Sequence, residues 1–423
     1  MALPGVSTAL KDRFYTLSRT DIPSGPKILT IAPRDTADGT GGVADYDPYR
    51  ATNEATVVAA FGDGSPCHRA YLELASGGAA RIYIVALPKG ITDANIFSTS
   101  AVTITGDGTN HNHGSHIPFD KAFEAAETEL PDIIVPWGRG GHPYEWENPA
   151  TPSNAPIFGF YADNSTVSGT SMVQRVADAC QAIASRSHPV MGILGTKPYV
   201  GSEPTATEGM TASNVTTALT LSNLMSRDAT TFGSNGMYVS VIASEVKTIG
   251  YPTSYGYSNG ACVYAGSISQ LKSWSAPTGK TIFNVTAIRY NPTRPQQQTL
   301  IDKGVVSISL DFNRSPIWVD ALTFGATGSD YARLTTLRII FDAINLVRNI
   351  SQGFIGEAAT LNQRNALETA IGAAMRGMQQ LGALLSSDFN VSYDPANNRA
   401  VVDLVLQPAF EMRNIDISVS VQL

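Results

Sequence analysis

Residues 414–423 alternate without a break. Ile415, Ile417, Val419, Val421 and Leu423 fall on one side, and Asn414, Asp416, Ser418, Ser420 and Gln422 on the other. A period of two belongs to a strand with one buried face, so this stretch is expected to be a strand. The backbone N–H and C=O groups of such a strand need a ladder partner. That partner is either another segment of the chain or another molecule. Pairing with another molecule by strand addition would make the protein a link in a polymer.

Upstream, short apolar runs take turns with amphipathic stretches. A first strand is predicted over 27–32 and a helix over 53–61. In the loop that follows, Ser65 is placed to cap a second helix over 67–75, with Pro66 at its first position and Gly77 and Gly78 to end it. Residues 81–87, RIYIVAL, are too apolar for a strand with one wet face and are expected to be buried on both. Residues 98–116 turn to Thr, Gly, Asn and His, which predicts a loop or the root of a peripheral insertion. A helix over 119–129 then leads to a strand over 132–137, and a helix over 171–185 to a strand over 189–195. A third helix-like stretch, 215–225, precedes a strand over 238–244. Helices alternating with short apolar strands predict a mostly parallel α/β sheet.

Beyond about residue 285 the pattern changes. Runs over 304–312 and 316–324 are strand-like, and two amphipathic helices follow. Leu334, Leu337, Phe341, Ile344 and Val347 mark the first. Leu367, Ile371, Ala374, Met378, Leu381 and Leu385 mark the second, which Thr360 and Gln363 open with a capping-box pattern. A turn over 394–399, a strand over 400–406 and a break over 408–412 lead to the alternating tail.

At 423 residues the chain exceeds what one core usually serves, so two domains, or three, are expected. Charged residues make up 15% of it, against roughly 25% in an average soluble protein. No apolar run has the length of a membrane span. Burial against neighbouring subunits would permit so low a surface charge, although a Gly-, Ser- and Thr-rich single enzyme would share it. The net charge of −7 and a pI near 5.4 argue against a nucleic-acid binder. The first residues carry no apolar stretch of signal-peptide length, so synthesis and use in a cytoplasm are expected. Cys67, Cys180 and Cys262 lack any CxxC spacing and read as buried free thiols.

Catalytic motifs mostly fail. Residues 256–260 match GxSxG, the nucleophile elbow of α/β-hydrolases, with Ser258 at its centre. That fold needs a His after the Ser, and all six histidines precede it, so a turn is the simpler reading. Gly279-Lys280-Thr281 ends like a P-loop, but the required upstream Gly is Trp274. His111, His113 and His116, with Asp107 or Asp120 at the edges, have the proximity of metal ligands, yet a solvated polar loop accounts for them. Asp132, Arg139, His142 and Glu145 cluster about a strand end, where α/β proteins often keep sites.

The order of segments says more. Residues 3–6 read Leu-Pro-Gly-Val. Residues 61–65, Phe-Gly-Asp-Gly-Ser, are followed by a helix, a Gly pair and the basic-then-apolar run 81–87. Tyr264, Ala265 and Gly266 lead to Ala276 and Pro277 and, after a spacer, to the stretch 300–306, in which Leu300 is followed by Gly304 and Val305. A strand over 317–324 precedes a long helix over 331–349. Asn398 and Arg399 open the strand that ends at Leu406, followed by Pro408 and the tail. Each motif is short. Their succession, over nearly the whole chain, resembles the sheath proteins of contractile bacteriophage tails and related injection machines. The short segment between Leu87 and Phe119 departs from the large outer insertions of some sheath proteins.

The resemblance implies a structural subunit with no catalysis, cofactor or metal. Sheath subunits stack as hexameric rings around a rigid tail tube and join their neighbours through terminal arms that complete a small shared sheet. The implied fold class is α/β: an outer α/β domain with a mostly parallel sheet over 24–285, an inner α+β C-terminal domain over 286–408, an N-terminal arm over 1–23 joining the inner domain, and a C-terminal β-arm over 409–423. Leu3, Val6, Ile415, Ile417, Val419 and Val421 are the expected inter-subunit residues, and Arg364 and Arg376 the expected tube-facing ones. Implied partners are further copies of the chain, a tail tube protein, and baseplate and tail terminator proteins, with no direct contact to nucleic acid and no membrane insertion. The implied place is the phage tail of a virion, assembled in the host cytoplasm. Contraction would be a switch between two packings, the extended one metastable, with hinges at 23–26 and 407–409. The competing readings are an α/β hydrolase using Ser258 and another self-assembling shell or filament protein without a tube partner.

Overall fold

A computed structural model describes residues 25–34, 43–88, 91, 101–104, 114–136, 172–195, 235–249, 257–288, 291–326, 328–394, 396, 399–411 and 413. The expected N-terminal arm, most of the C-terminal arm and the helix expected over 215–225 lie outside these residues.

β1 (Lys27–Pro33) is buried at every position after Lys27. β2 (Pro48–Ala51) follows, and α1 (Glu54–Phe61) starts at Asn53, whose side chain accepts from the Thr56 N–H at 2.9 Å in a reciprocal cap. α2 (Pro66–Ser76) opens as expected, with Ser65 Oγ accepting from the His68 N–H at 3.2 Å and Pro66 in the first turn. β3 (Arg81–Leu87) is buried on both faces. β4 (Val102–Ile104) and β5 (Gly114–His116) pair antiparallel, so the flanks of the polar stretch expected to be a loop form a short ladder. α3 (Pro118–Thr128), β6 (Ile133–Pro136), α4 (Met172–Arg186), β7 (Met191–Gly195) and β8 (Val239–Ile242) keep the predicted alternation. β9 (Glu245–Thr248), β10 (Ser258–Asn259) and β11 (Val285–Ile288) form a small antiparallel sheet, with α5 (Ala261–Ser269) between the last two in sequence. α6 (Arg294–Asp302), β12 (Val305–Val306), β13 (Ile308–Leu310) and β14 (Pro316–Trp318) follow.

The main sheet has seven strands in the order β12-β8-β7-β6-β1-β3-β2, all parallel except β2 at the edge. Leu29 and Ile31 of β1 point into a core shared with Phe119 and Phe123 of α3 and Val176 and Cys180 of α4. Ile28 and Ala32 point the other way, onto Cys67 and Leu74 of α2 and Val263 and Tyr264 of α5. Three layers result, which is why β1 and β3 read as continuous apolar runs. β12 joins this sheet from beyond residue 285, so the expected domain cut at 285/286 runs between strands of one sheet.

α5 was not expected. All but one of its residues are buried, so it shows no one-sided periodicity. Its Gly266 crosses α2 at Gly77 with no room between: a Cβ on Gly266 would stand 2.5 Å from the Gly77 carbonyl carbon.

α7 (Leu334–Gln352) and α8 (Leu361–Gln380) are the two amphipathic helices, and Thr360 Oγ1 accepts from the Gln363 N–H at 3.3 Å. The stripe expected on α7 is incomplete. Phe341 and Ile344 are half-buried, whereas Ile339, Ala343 and Ile350 are buried, because the helix serves two cores at once. Leu334 and Leu337 belong to the core under the main sheet, and Ile339, Ala343, Val347 and Ile350 to a third core with Leu367, Ile371 and Met375 of α8. The seam expected to continue through Leu381 and Leu385 stops: these residues are 44% and 55% exposed. α8 ends at Gln380, Gly382 turns with φ +78°, and an unexpected strand begins. β15 (Leu384–Asp394) pairs antiparallel with β16 (Arg399–Pro408), and Leu385 is the extra residue of a bulge at their base.

Candidate assembly surface

β15 and β16 run side by side from the Asp394–Arg399 pair down to Leu384–Pro408. Phe389, Val391, Val402, Leu404 and Leu406 turn inward onto the third core, while Asp388, Asn390, Ser392, Asp403 and Gln407 face solvent. A two-stranded ribbon is marginal alone; here α8 holds one face. Among the described residues neither strand has a second strand neighbour, so each long edge is left without a ladder there. The expected closing pair of strands was 400–406 with the tail. The ladder partner of β16 within the described residues is β15 instead. The inter-subunit residues Leu3, Val6, Ile415, Ile417, Val419 and Val421 lie outside them.

The hinge expected over 407–409 is bonded. Gln407 and Pro408 are in the ladder, and the Ala409 N–H donates to the Ala383 carbonyl at 2.9 Å. α7 in turn is fastened to the α/β layers by two arginines. Arg338 donates to the Leu271 and Lys272 carbonyls just past α5, at 2.7 and 3.4 Å. Arg348 donates to the Ser187 and Ala184 carbonyls at the end of α4, at 2.6 and 2.8 Å. Both sit where the helix dipole favours a cation.

The two expected tube-facing arginines do not share a face. They are twelve positions apart on α8, which places them about 120° apart around its axis. The Arg364 guanidinium lies 4.5 Å from the Tyr393 ring centroid and its Nε donates to the Ala359 carbonyl at 3.1 Å, whereas Arg376 is exposed.

Ser258 is 1% exposed and sits in β10, opposite Val246 of β9. The three described histidines are engaged elsewhere: His68 with the Gly64 N–H, His116 with the Tyr46 hydroxyl at 2.8 Å, and His188 with Asp132. A fluorophosphonate probe is therefore expected to leave Ser258 unlabelled in the folded protein; stoichiometric labelling detected by mass spectrometry would revive the hydrolase reading. Asp132 accepts from the Lys27 N–H at 2.8 Å just before β6, and Arg139, His142 and Glu145 lie outside the described residues. No group of three metal-ligating side chains occurs among the described residues, and His111 and His113 are not among them. Nor is any described helix long and apolar enough to cross a membrane. Cys67, Cys180 and Cys262 are buried free thiols, and burial pushes the Cys180 thiol well up. A cleft of about 600 Å³ opens between the first residues of β1 and β3 and the α7–α8 pair, with Lys27, Asp132, Trp274 and Asp342 on its walls. It faces the starts of the parallel strands, opposite the end where α/β sheets usually bind ligands.

The architecture is thus a three-layer α/β unit carrying a helical pair and, among the described residues, a two-stranded β-ribbon. Among solved structures, the overall fold finds matches over nearly the full length of the chain. It is similar to the anti-feeding prophage helical sheath in its contracted state, at 13% identity, with 94% of this chain and 93% of that chain covered and a TM-score of 0.61. It is similar to the sheath tail protein of Listeria innocua, at 10% identity, with 95% and 96% covered and a TM-score of 0.59. A chain of the anti-feeding prophage baseplate matches at 11% identity, 95% and 94% coverage and a TM-score of 0.63. No protein-family model and no curated protein matches the sequence. At such identities the likeness is one of fold, and the fold is that of contractile tail sheath proteins.

Proposed function

We propose that this chain is the structural subunit of a contractile tail sheath. It polymerises as stacked hexameric rings around a tail tube through strand-exchanging terminal arms, and contracts to drive the tube through a host envelope. The observation that supports the reading most is the β15–β16 ribbon, which has no further strand on either edge among the described residues, in a chain whose residues 414–423 carry an alternating apolar–polar pattern of the same ten-residue length as β16. Added to an edge, that strand would turn its apolar side toward α8 and its polar side outward. The reading carries with it a tube protein inside the sheath, baseplate and terminator proteins at its ends, a place in a phage-tail-like particle and assembly in the host cytoplasm. It needs no catalytic role.

Negative-stain electron microscopy of the purified full-length protein tests it. Tubes or stacked rings are expected; uniform monomers, even with a tail tube present as a nucleus, would overturn it. Of the two arginines, Arg376 is the better placed for a weak, reversible grip on an acidic tube surface, because an exposed pair contributes little singly. Arg376→Glu is expected to reduce decoration of added tubes several-fold while leaving a folded subunit, counted on the same grids.

A further inference from the structure

Where the C-terminal segment leaves β16, its side chains reach a buried carboxylate of the body. Asp320, fully buried after β14, receives Arg333 Nη1 on both carboxylate oxygens, at 2.8 and 3.0 Å. The Arg413 guanidinium donates to its Oδ2 as well. Two residues earlier, the Glu411 carboxylate accepts from the Thr335 hydroxyl in the first turn of α7. Two residues earlier again, the Ala409 N–H is bonded to the Ala383 carbonyl. Residues 409, 411 and 413 therefore each hold the body, while Phe410 between them is 80% exposed. A fully buried carboxylate makes its partners matter: surface ion pairs contribute little, but a buried charge that loses a partner is strongly penalised.

We infer that Asp320, Arg333, Thr335, Glu411 and Arg413 form a clasp that fixes the root of the C-terminal segment to the body, so that its pivot lies beyond Arg413. A strand to be offered to a neighbour then leaves its own subunit in a set direction, with part of its ordering already done. That consequence rests on the sheath reading; the clasp itself does not. Glu411 adds a pH dependence. Burial pushes its carboxyl up from the usual range, Asp320 adds to this, and the Thr335 hydrogen bond, Arg333 and Arg413 oppose it. Tyr264 of α5 and Lys280 also face it. Its Oε2 is buried without a hydrogen-bond partner. The docked segment thus holds this proton more tightly than the free one, so Glu411's own contribution to docking is fully present below its ordinary range and is lost as pH rises through the raised value.

A spin label on Phe410→Cys reads the clasp, because the three native cysteines are buried. In the parent its spectrum is expected to be restrained. A mobile component should appear in Arg413→Ala and in Thr335→Val, shrink again in Arg413→Lys, and leave a control label at Val405→Cys in β16 unchanged. In Glu411→Gln, which keeps an acceptor for Thr335, the change in mobility with pH should be lost. Equal mobility at position 410 in all variants would overturn the clasp. A freed label together with normal tubes on grids would overturn its consequence for assembly, and absence of tubes from the parent bears only on the sheath reading.

Discussion

A chain cut after Arg413 is expected to fold and to form no tubes or rings. The cut leaves the three cores, the ribbon and the clasp whole, and takes away only the alternating sequence of residues 414–423. The size of the loss follows from opposing terms. Ten residues on an open edge make on the order of ten ladder hydrogen bonds, at roughly 1 kcal/mol net each. Ordering them costs about 1–2 kcal/mol per residue, so these two terms nearly cancel. What remains is the burial of Ile415, Ile417, Val419, Val421 and Leu423, at about 1.5–3 kcal/mol each. The apolar face therefore decides whether the joint holds, and Val419→Asp should come close to the effect of the cut. Grids and circular dichroism on the same samples check both. Regular tubes from the shortened chain would remove the C-terminal arm from the account. A cut after Gln407 is the poorer choice, because it also removes the Pro408–Leu384 pair, Glu411 and Arg413 and loosens the base of the ribbon.

Gly266→Ala is expected to be the most damaging single methyl in the α/β layers. The new Cβ would lie 2.5 Å from the Gly77 carbonyl carbon and 2.7 Å from its Cα, and a Cβ on Gly77 would meet the Val263 carbonyl oxygen at 2.8 Å. All of these are backbone atoms, with no side chain to swing aside. The α2–α5 crossing must open, and both helices lie on the sheet. Overpacking a core typically costs about 1–3 kcal/mol, and this site belongs at or above the upper end. For a unit of this size that is a fall of roughly 5–10 °C in the first thermal transition. Gly377→Ala in α8 is the contrast: nothing lies within 4 Å of its new Cβ, so a helix-propensity gain of about 0.5–1 kcal/mol is expected there. If both substitutions shift the transition alike, close packing at Gly77 and Gly266 is not the reason for these glycines.

That pair also shows what the sequence alone made readable. The Gly pair at 77–78 and the small-residue stretch at 264–266 were visible as separate motifs, but their contact is not a property of either. Strands such as β1 and β3 were legible because both faces are buried, and α2 because Ser65 and Pro66 announce its start. α5 was hidden for the opposite reason, since a helix buried nearly all round has no polar side to set its period. β15 was obscured by neighbouring order. The four-three spacing of α8 runs on by chance through Leu381 and Leu385, although Phe389, Val391 and Tyr393 alternate with polar residues just beyond. Of the candidate assembly surface, the alternation of the tail is visible in the sequence and the ribbon edge proposed to receive it is not. The clasp was out of reach, because Asp320 and Arg413 stand 93 positions apart.

α7 connects these parts in a way that bears on how force would travel. One end of it is packed into the core beneath the main sheet and the rest into the core beneath the ribbon, with Arg338 and Arg348 tied to the ends of α5 and α4. Engineers would call it a beam built in at both supports. Tension entering at the ribbon from a neighbouring subunit would pass along it into the α/β layers, so a pull would displace the whole body before it peeled away the piece that was gripped.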